Sequence, residues 1–518
     1  MPLPDPQKIA RLSRDRSFLV RTSLTMVTAS VAIAFVVSLL SSSDISEPEL
    51  YRELLDQSET PETMDELVTL VRFGRVAPPD PDFRDCRDLV RGTDSVWSVE
   101  QIEQIAGAFP SAIVEPWWKN LRGGDTDIAI AEILAAAPDQ RYRDEFLGDL
   151  YYLRGDWQKA MAYYIAGAKR FPDSIYARRS AVVLAMRENE LPALDIGDFK
   201  SVFHPAELLE IYSASRDYPA LIVATLRTEW SMLTSRYLAP ALFTAAIWWA
   251  VFMVFWTPTR ERMIAAALAF LAGVVSAVLT LFVVVVQEKI QGFTFNPQDT
   301  PIAQFLNLVA GVGLREETLK LLCYVPFAVW AARRKSGIEG IVLAAIVGLG
   351  FAFQENLQYF QNGAGTFVAW GRLLSANALH FSLTGVAGYF LFRMLLRKMR
   401  GWEEFLACFL AVIFVHGIYN AMFLMPLLAE YASLYFIIIA LIAYQFFDRL
   451  RAEMDTTGIA KRVSPLGIFV LGSVVLTCVV LISSATLLPF RFALGAFASS
   501  VGGSVVLAFA FISRFRDL

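Results

Sequence analysis

Residues 263–286 read MIAAALAFLAGVVSAVLTLFVVVV, with no charge and no proline. As an α-helix the run exceeds the roughly 20 residues that cross a hydrocarbon layer about 30 Å thick, so it predicts a membrane span. Outward from it, uncharged runs of similar length occur at 22–43, 237–257, 465–490 and 492–513. Apolar runs at 341–354, 373–392, 405–429 and 431–447 follow the same pattern, three of them with a single ionisable group inside or beside them. The segment 301–332 is apolar around a central Arg-Glu-Glu-Thr-Leu-Lys. The expectation is an all-α polytopic membrane bundle of about ten spans. Composition agrees, since 55% hydrophobic residues and a mean hydropathy of +0.46 are too apolar for an ordinary soluble domain.

Charge divides the chain. Residues 44–236 hold 34 Asp+Glu against 21 Lys+Arg, and the remainder holds 16 against 25. An acidic insert therefore interrupts a basic membrane part, a pattern that fits neither a nucleic-acid binder nor a disordered acidic chain. The basic residues of the membrane part alternate. Lys8, Arg11, Arg14, Arg16 and Arg21 precede the first span. Arg260/Arg262, Arg333/Arg334/Lys335, Arg393/Arg397/Lys398/Arg400, Arg449/Arg451/Lys461/Arg462 and Arg514/Arg516 occupy every second connection. The opposite connections carry only Lys289, Arg372 and Arg491. The positive-inside bias then predicts cytoplasmic termini and an extracytoplasmic segment 44–236. The first span has a basic start like a signal peptide, but its apolar run is too long for one and reads as an uncleaved anchor. The four cysteines (Cys86, Cys323, Cys408, Cys478) form no CxxC, which excludes a disulfide framework and a cysteine zinc site.

The domains expected are 1–43 as tail and anchor, 44–236 as an outer helical domain, 237–447 as a membrane core and 448–518 as two further spans. Within the insert, Leu147-Gly148-x-x-Tyr151, Gly155-Asp156-Trp157, Ala160, Tyr164 and Pro172 have the spacing of a tetratricopeptide repeat. Pro138-Asp139 and Pro172-Asp173 are one repeat period apart, so a degenerate unit before it, a further one at 177–193 and capping segments at 96–137 and 200–232 are expected. Such a domain binds an extended peptide or helix. A plain helical spacer is the competing reading, and His204 beside Pro205 reads as an exposed loop histidine.

The segment 301–430 places Glu316, Glu317, Lys320, Glu355, His380 and His416 inside apolar helices. Each charge at mid-membrane costs about 2.5–3.5 kcal/mol on insertion scales. Glu316 and Lys320, Phe351 and Glu355, and His416 and Asn420 are each four apart and share a helix face; adjacent Glu316 and Glu317 project about 100° apart. His380 and Gly388 lie two turns apart on one stripe. Each group has its own structural reading. Glu316–Lys320 could be a packing ion pair, His416–Asn420 interhelical hydrogen-bond glue, His380 a satisfied core histidine and Phe351 plain packing. Their concentration on four successive spans favours a shared polar cavity. A buried glutamate there can take a proton from water and return it to a leaving amine, and histidine or asparagine can donate to an oxyanion. No HExxH, no phosphate loop and no nucleotide fingerprint occurs.

These residues stand in four ordered motifs: Glu316-Glu317-x-x-Lys320, Phe351-x-x-x-Glu355-Asn356, His380 to Gly388, and His416-x-x-x-Asn420. In them the chain resembles the PrsW-type intramembrane proteases, relatives of the CAAX-prenyl proteases and bacteriocin-processing proteins, over roughly 237–447. The resemblance implies that Glu316 activates water, that Glu317 or Glu355 with His380 assists proton transfer, and that His416 with Asn420 holds the oxyanion. Lys320, Phe351, Asn356 and Gly388 would support them. The prenyl-protease relatives have a histidine at the position of Glu355, which leaves the division of labour between Glu355 and His380 open. Metal-free glutamate chemistry, with no cofactor, is the expectation, and zinc held by Glu316, Glu355, His380 and His416 is the alternative. The implied substrates are membrane-anchored proteins, such as an anti-sigma factor, approached from the outer side. Two other classes compete. A proton- or ion-coupled transporter would need internal repeats that are absent, and a non-catalytic receptor or scaffold would leave the polar cluster without a purpose.

Overall fold

The computed structural model describes residues 6–41, 124–172, 175–188, 205–235, 237–256, 258–290, 298–360, 369–454 and 463–487, with a few isolated positions elsewhere. His204, Cys86 and most of the expected span 492–513 lie outside the described residues. The chain divides into two compact units, Met1–Ser43 with Glu229–Leu518, and Asp44–Thr228. All regular structure among the described residues is helical.

The amino-terminal part contributes α1 (Pro6–Leu12) and α2 (Arg16–Ser41). The acidic insert contributes α3 (Thr126–Leu134), α4 (Arg143–Leu153), α5 (Trp157–Arg170), α6 (Ile175–Arg187) and α7 (Pro205–Ala214), followed by α8 (Tyr218–Leu233). The membrane part then runs through α9 (Leu238–Phe255), α10 (Arg260–Val284), α11 (Pro301–Leu306), α12 (Leu314–Arg334) and α13 (Gly337–Tyr359). It ends with α14 (Ala369–Leu374), α15 (Ala376–Leu396), α16 (Trp402–Leu424), α17 (Tyr435–Ala452) and α18 (Pro465–Leu487).

Among the described residues, seven helices are long and apolar enough to cross a membrane: Arg16–Leu40, Leu238–Phe255, Arg260–Glu288, Gly337–Tyr359, Arg372–Leu396, Trp402–Leu424 and Pro465–Ile482. Two of the ten expected spans differ for local reasons. The segment 301–332 is not one regular helix. α11 passes through a π-helical stretch, Asn307–Gly313, into α12, whose apolar sequence is broken by Arg315, Glu316, Glu317 and Lys320. The segment 431–447 begins in a 3₁₀ helix, Pro426–Leu434, and α17 carries Asp448, Arg449 and Arg451 at its end.

Helix α13 is the axis of the membrane unit, with 19 of its 23 residues buried, and packs against α10, α12 and α15. Its Gly348 makes this possible at one point, because a Cβ there would lie 2.4 Å from the carbonyl oxygen of His380. The end of the unit bearing the basic connections is fastened by Glu339, fully buried, whose carboxylate accepts from Arg262 Nε and Arg334 Nε at 2.9 Å each. That ion network joins α10, α12 and α13.

In the acidic insert, α4 and α5 form an antiparallel hairpin around Gly155, whose φ of +86° suits glycine alone. Gly148 faces the Tyr164 ring, Ala160 is buried, and Tyr164 Oη donates to Asp149 Oδ1 at 2.6 Å. Helix α5 stops at Arg170, just ahead of Pro172. Each small or aromatic residue of the 147–172 pattern thus serves the packing of one helical hairpin.

Candidate active site

The polar residues of α12, α13, α15 and α16 meet in one buried cluster. Helix α12 brings Glu316, Glu317 and Lys320 on its first turns, directly after the π-helical stretch; such π-turns are frequent at functional sites. Helix α13 brings Phe351, Glu355 and Asn356 near its end, α15 brings His380, and α16 brings His416. His380 stands within the first two turns of α15.

Lys320, with no exposed surface, is the hub. Its Nζ lies 2.8 Å from Glu317 Oε1, 3.4 Å from Glu316 Oε2 and 2.9 Å from His380 Nδ1. It also lies 3.8 Å from the centre of the Phe351 ring, so Phe351 is more than packing: it covers the ammonium with its π face. Glu317, also unexposed, bonds Lys320, His416 Nδ1 at 2.8 Å and Thr384 Oγ1 at 3.4 Å. Glu316 keeps 11% of its side chain accessible and reaches His416 Nε2 at 3.6 Å. The two adjacent glutamates therefore straddle one imidazole from opposite sides. Their 100° divergence is what allows this.

Partner chemistry assigns the imidazole tautomers. An ammonium only donates, so His380 Nδ1 is the acceptor and Nε2–H donates to Glu355 Oε2 at 3.0 Å. Glu317 accepts from His416 Nδ1–H, which leaves the Nε2 lone pair on the side of Glu316. One ligand atom each from Glu316, His380 and His416 lies within 4.8 Å of the others. Two imidazoles and a carboxylate form the donor set of many catalytic zinc sites, and the Glu317–His416 bond is the supporting contact such a ligand needs. On these grounds the residues fit a divalent cation.

Glu355, expected among the ligands of such a metal, stands apart from that triad. Arg372 Nη2 donates to its Oε2 at 2.5 Å, and Arg372 Nε donates to Asn356 Oδ1. Asn356 in turn donates to Asn377 Oδ1 at 2.8 Å. Asn420, one turn beyond His416, is half-buried and takes part in none of the cluster's hydrogen bonds. Gly388 lies two turns from His380, where a Cβ would sit 2.5 Å from Ala344 and 2.9 Å from the Tyr324 ring; it serves the α13–α15 contact. Arg372, Thr384 and Asn377 were not evident from the motifs. Arg372 could have been noticed as one of the three basic residues in the connections opposite the basic ones, eight residues before His380.

Comparison with curated proteins and with solved structures finds no match. Comparison with protein families does: the stretch containing α10 through most of α17, with the whole cluster inside it, matches one family model. The chain is a multi-pass membrane protein, and its residues 261–444 are a PrsW-family intramembrane protease domain, of the family described as PrsW family intramembrane metalloprotease.

Proposed function

We propose that the chain is an intramembrane endopeptidase that hydrolyses peptide bonds of membrane-anchored proteins, with Glu316 as the group that takes the proton from water. The observation that carries this is the asymmetry of the carboxylate pair. Glu317 is closed off by three partners, whereas Glu316 alone keeps an accessible edge beside both imidazoles. Its Oε2 faces Lys320 and His416, and Oε1 makes neither of these contacts, so Oε1 is the oxygen that accepts the proton. The same carboxyl group then returns the proton to the leaving amine. Asn420, whose amide the cluster does not use, is the side chain left to donate to the oxyanion.

A divalent cation, zinc by its donor set, would be held by Glu316, His380 and His416 and would supply Lewis-acid polarisation of the scissile carbonyl and of water. This reading replaces the metal-free expectation and drops Glu355 from the ligand set. Access from the extracytoplasmic side is favoured by depth. Glu355 lies four residues from the end of α13 and His380 four residues into α15, at the helix ends opposite the basic connections Arg333/Arg334 and Arg393–Arg400. An anti-sigma factor is one substrate of the expected kind.

The test incubates purified protein with candidate single-span proteins, beside Glu316→Ala, His380→Ala and His416→Ala. Each substitution is expected to abolish cleavage while the protein still purifies as one species, and each to lower the bound zinc measured by elemental analysis. Near-normal turnover by all three variants would end the protease assignment. Full turnover after chelation, with no zinc bound, would end the metal reading and leave Glu316 chemistry standing.

A further inference from the structure

We propose that Arg372 is a positioning residue that sets the Glu355–His380 pair; the claim that this matters for turnover rests on the endopeptidase reading above. Arg372 precedes α15, at the end of α14, and is mostly withdrawn from solvent, with 13% of its side chain exposed. Its guanidinium grips two consecutive residues of α13 at once, Glu355 through Nη2 at 2.5 Å and Asn356 through Nε. Consecutive residues on a helix diverge by about 100°, so a point charge could hold one of them; a planar fork with donors along two edges holds both. The ring of Tyr359, one turn further along α13, lies under the guanidinium at 3.9 Å and fixes its plane.

Asn356 carries the hold across to the other helix. Its amide donates to Asn377 Oδ1 at 2.8 Å, and Asn377 lies three residues before His380 on the same face of α15. Arg372, Asn356 and Asn377 thus form a bracket over the α13–α15 crossing, where Gly348 meets the His380 carbonyl. Both members of the pair are set by it. Glu355 Oε2 is held by Arg372 and so presented to His380 Nε2 at 3.0 Å. With its proton fixed on Nε2, His380 turns the Nδ1 lone pair toward Lys320 and the rest of the cluster. Without the guanidinium, Glu355 would gain rotamers, and the His380 Nε2–H would lose its fixed acceptor, leaving Lys320 alone to orient the imidazole.

The experiment compares wild type with Arg372→Ala and Arg372→Lys in two measurements. The first is cleavage of a verified single-span substrate, resolved into kcat and KM. Supporting contacts to an active-site histidine are typically worth about 10–100-fold, so kcat should fall by that amount with KM within about twofold. The second is the ¹⁵N spectrum of protein labelled at histidine, of which the chain has three. The His380 resonances, assigned by their loss in His380→Ala, should shift and broaden as the Nε2–H loses its fixed acceptor, while those of His416 stay. Lysine keeps the charge but not the fork, so Arg372→Lys should show the same change in smaller degree, and it decides the matter if Arg372→Ala does not fold. An unchanged kcat, a change confined to KM, or equal movement of the His380 and His416 resonances would overturn the proposal. If wild type cleaves nothing while the His380 signal alone still moves, the endopeptidase reading fails and the bracket stands as a device for positioning this histidine.

Discussion

Lys320 has four neighbours that interest it: Glu317, Glu316, His380 Nδ1 and the Phe351 ring. Methionine has similar length and no charge, and Lys320→Met would leave Glu317 fully buried with only His416 and Thr384 to satisfy it. Removing one member of a buried ion pair costs about 3–5 kcal/mol, so the variant should show a large drop in melting temperature in detergent or fail to accumulate. Lys320→Met with Glu317→Gln should recover most of that loss, because the one of its two carboxylate partners that has no exposed surface is then neutral. An unchanged melting temperature for the single variant would mean that the ammonium does not carry the cluster. At this scale the carboxylates and histidines could be read from the sequence, because an ionisable group inside an apolar run has few bland explanations. The direction each one faces could not. That Glu316 and Glu317 address opposite nitrogens of His416, or that Phe351 covers a cation, depends on the crossing of α12, α13 and α16, for which spacing along one helix holds no information.

At the scale of elements, a buried hydrogen bond joins α8 to α13. Gln354 Nε2 donates to Glu229 Oε2 at 2.5 Å, while Gln354 Oε1 is buried without a partner. Glu229 lies outside the seven spans, and burial raises its carboxyl above the usual carboxylate range. The sign follows from linkage. A folded-state value above the unfolded one means that the native state binds more protons, so this group's contribution is most favourable at low pH and is lost as pH rises through the folded value. Glu229→Gln removes the buried charge and offers an amide donor that Gln354 Oε1 can accept. It should therefore raise the melting temperature at pH 8, by no more than about 2 °C for each kcal/mol gained in a unit larger than 250 residues, and much less at pH 5. A uniform shift at both pH values, or a fall at pH 8, would contradict the assignment. The contact was invisible in the sequence, where Glu229 is one acid among many in an acidic segment. Hydrophobic runs located the long spans well. They did not reveal the π-helical stretch within 301–332, since it has the same composition as the α-helix around it.

At the scale of the whole molecule the open matters are orientation and the task of the acidic insert, and each has its own test. Basic connections at one end of the membrane helices predict that residues 44–236 are extracytoplasmic. Cys86 should then react with a membrane-impermeant thiol reagent on intact cells and Cys323 should not; the reverse pattern would move substrate access to the cytoplasm. The insert contains a helical hairpin, α4 and α5, whose interior is filled by Gly148, Ala160 and Tyr164. We expect it to select substrates and to do no chemistry, since the whole polar cluster lies in the other unit. Trp157 is partly buried against that hairpin's core, so its substitution would test folding before it tested binding. Deleting residues 96–214 and bridging them with a flexible linker is cleaner. It keeps α8 whole and with it the Glu229–Gln354 contact, which a deletion running to 232 would destroy. The shortened protein should cut a short transmembrane peptide with kcat within about threefold of wild type while losing its preference among full-length membrane proteins. Loss of cleavage of the short peptide, with zinc content and melting behaviour retained, would instead make the insert part of the catalytic assembly, since every residue of the Glu316, His380 and His416 cluster would still be present and correctly supported.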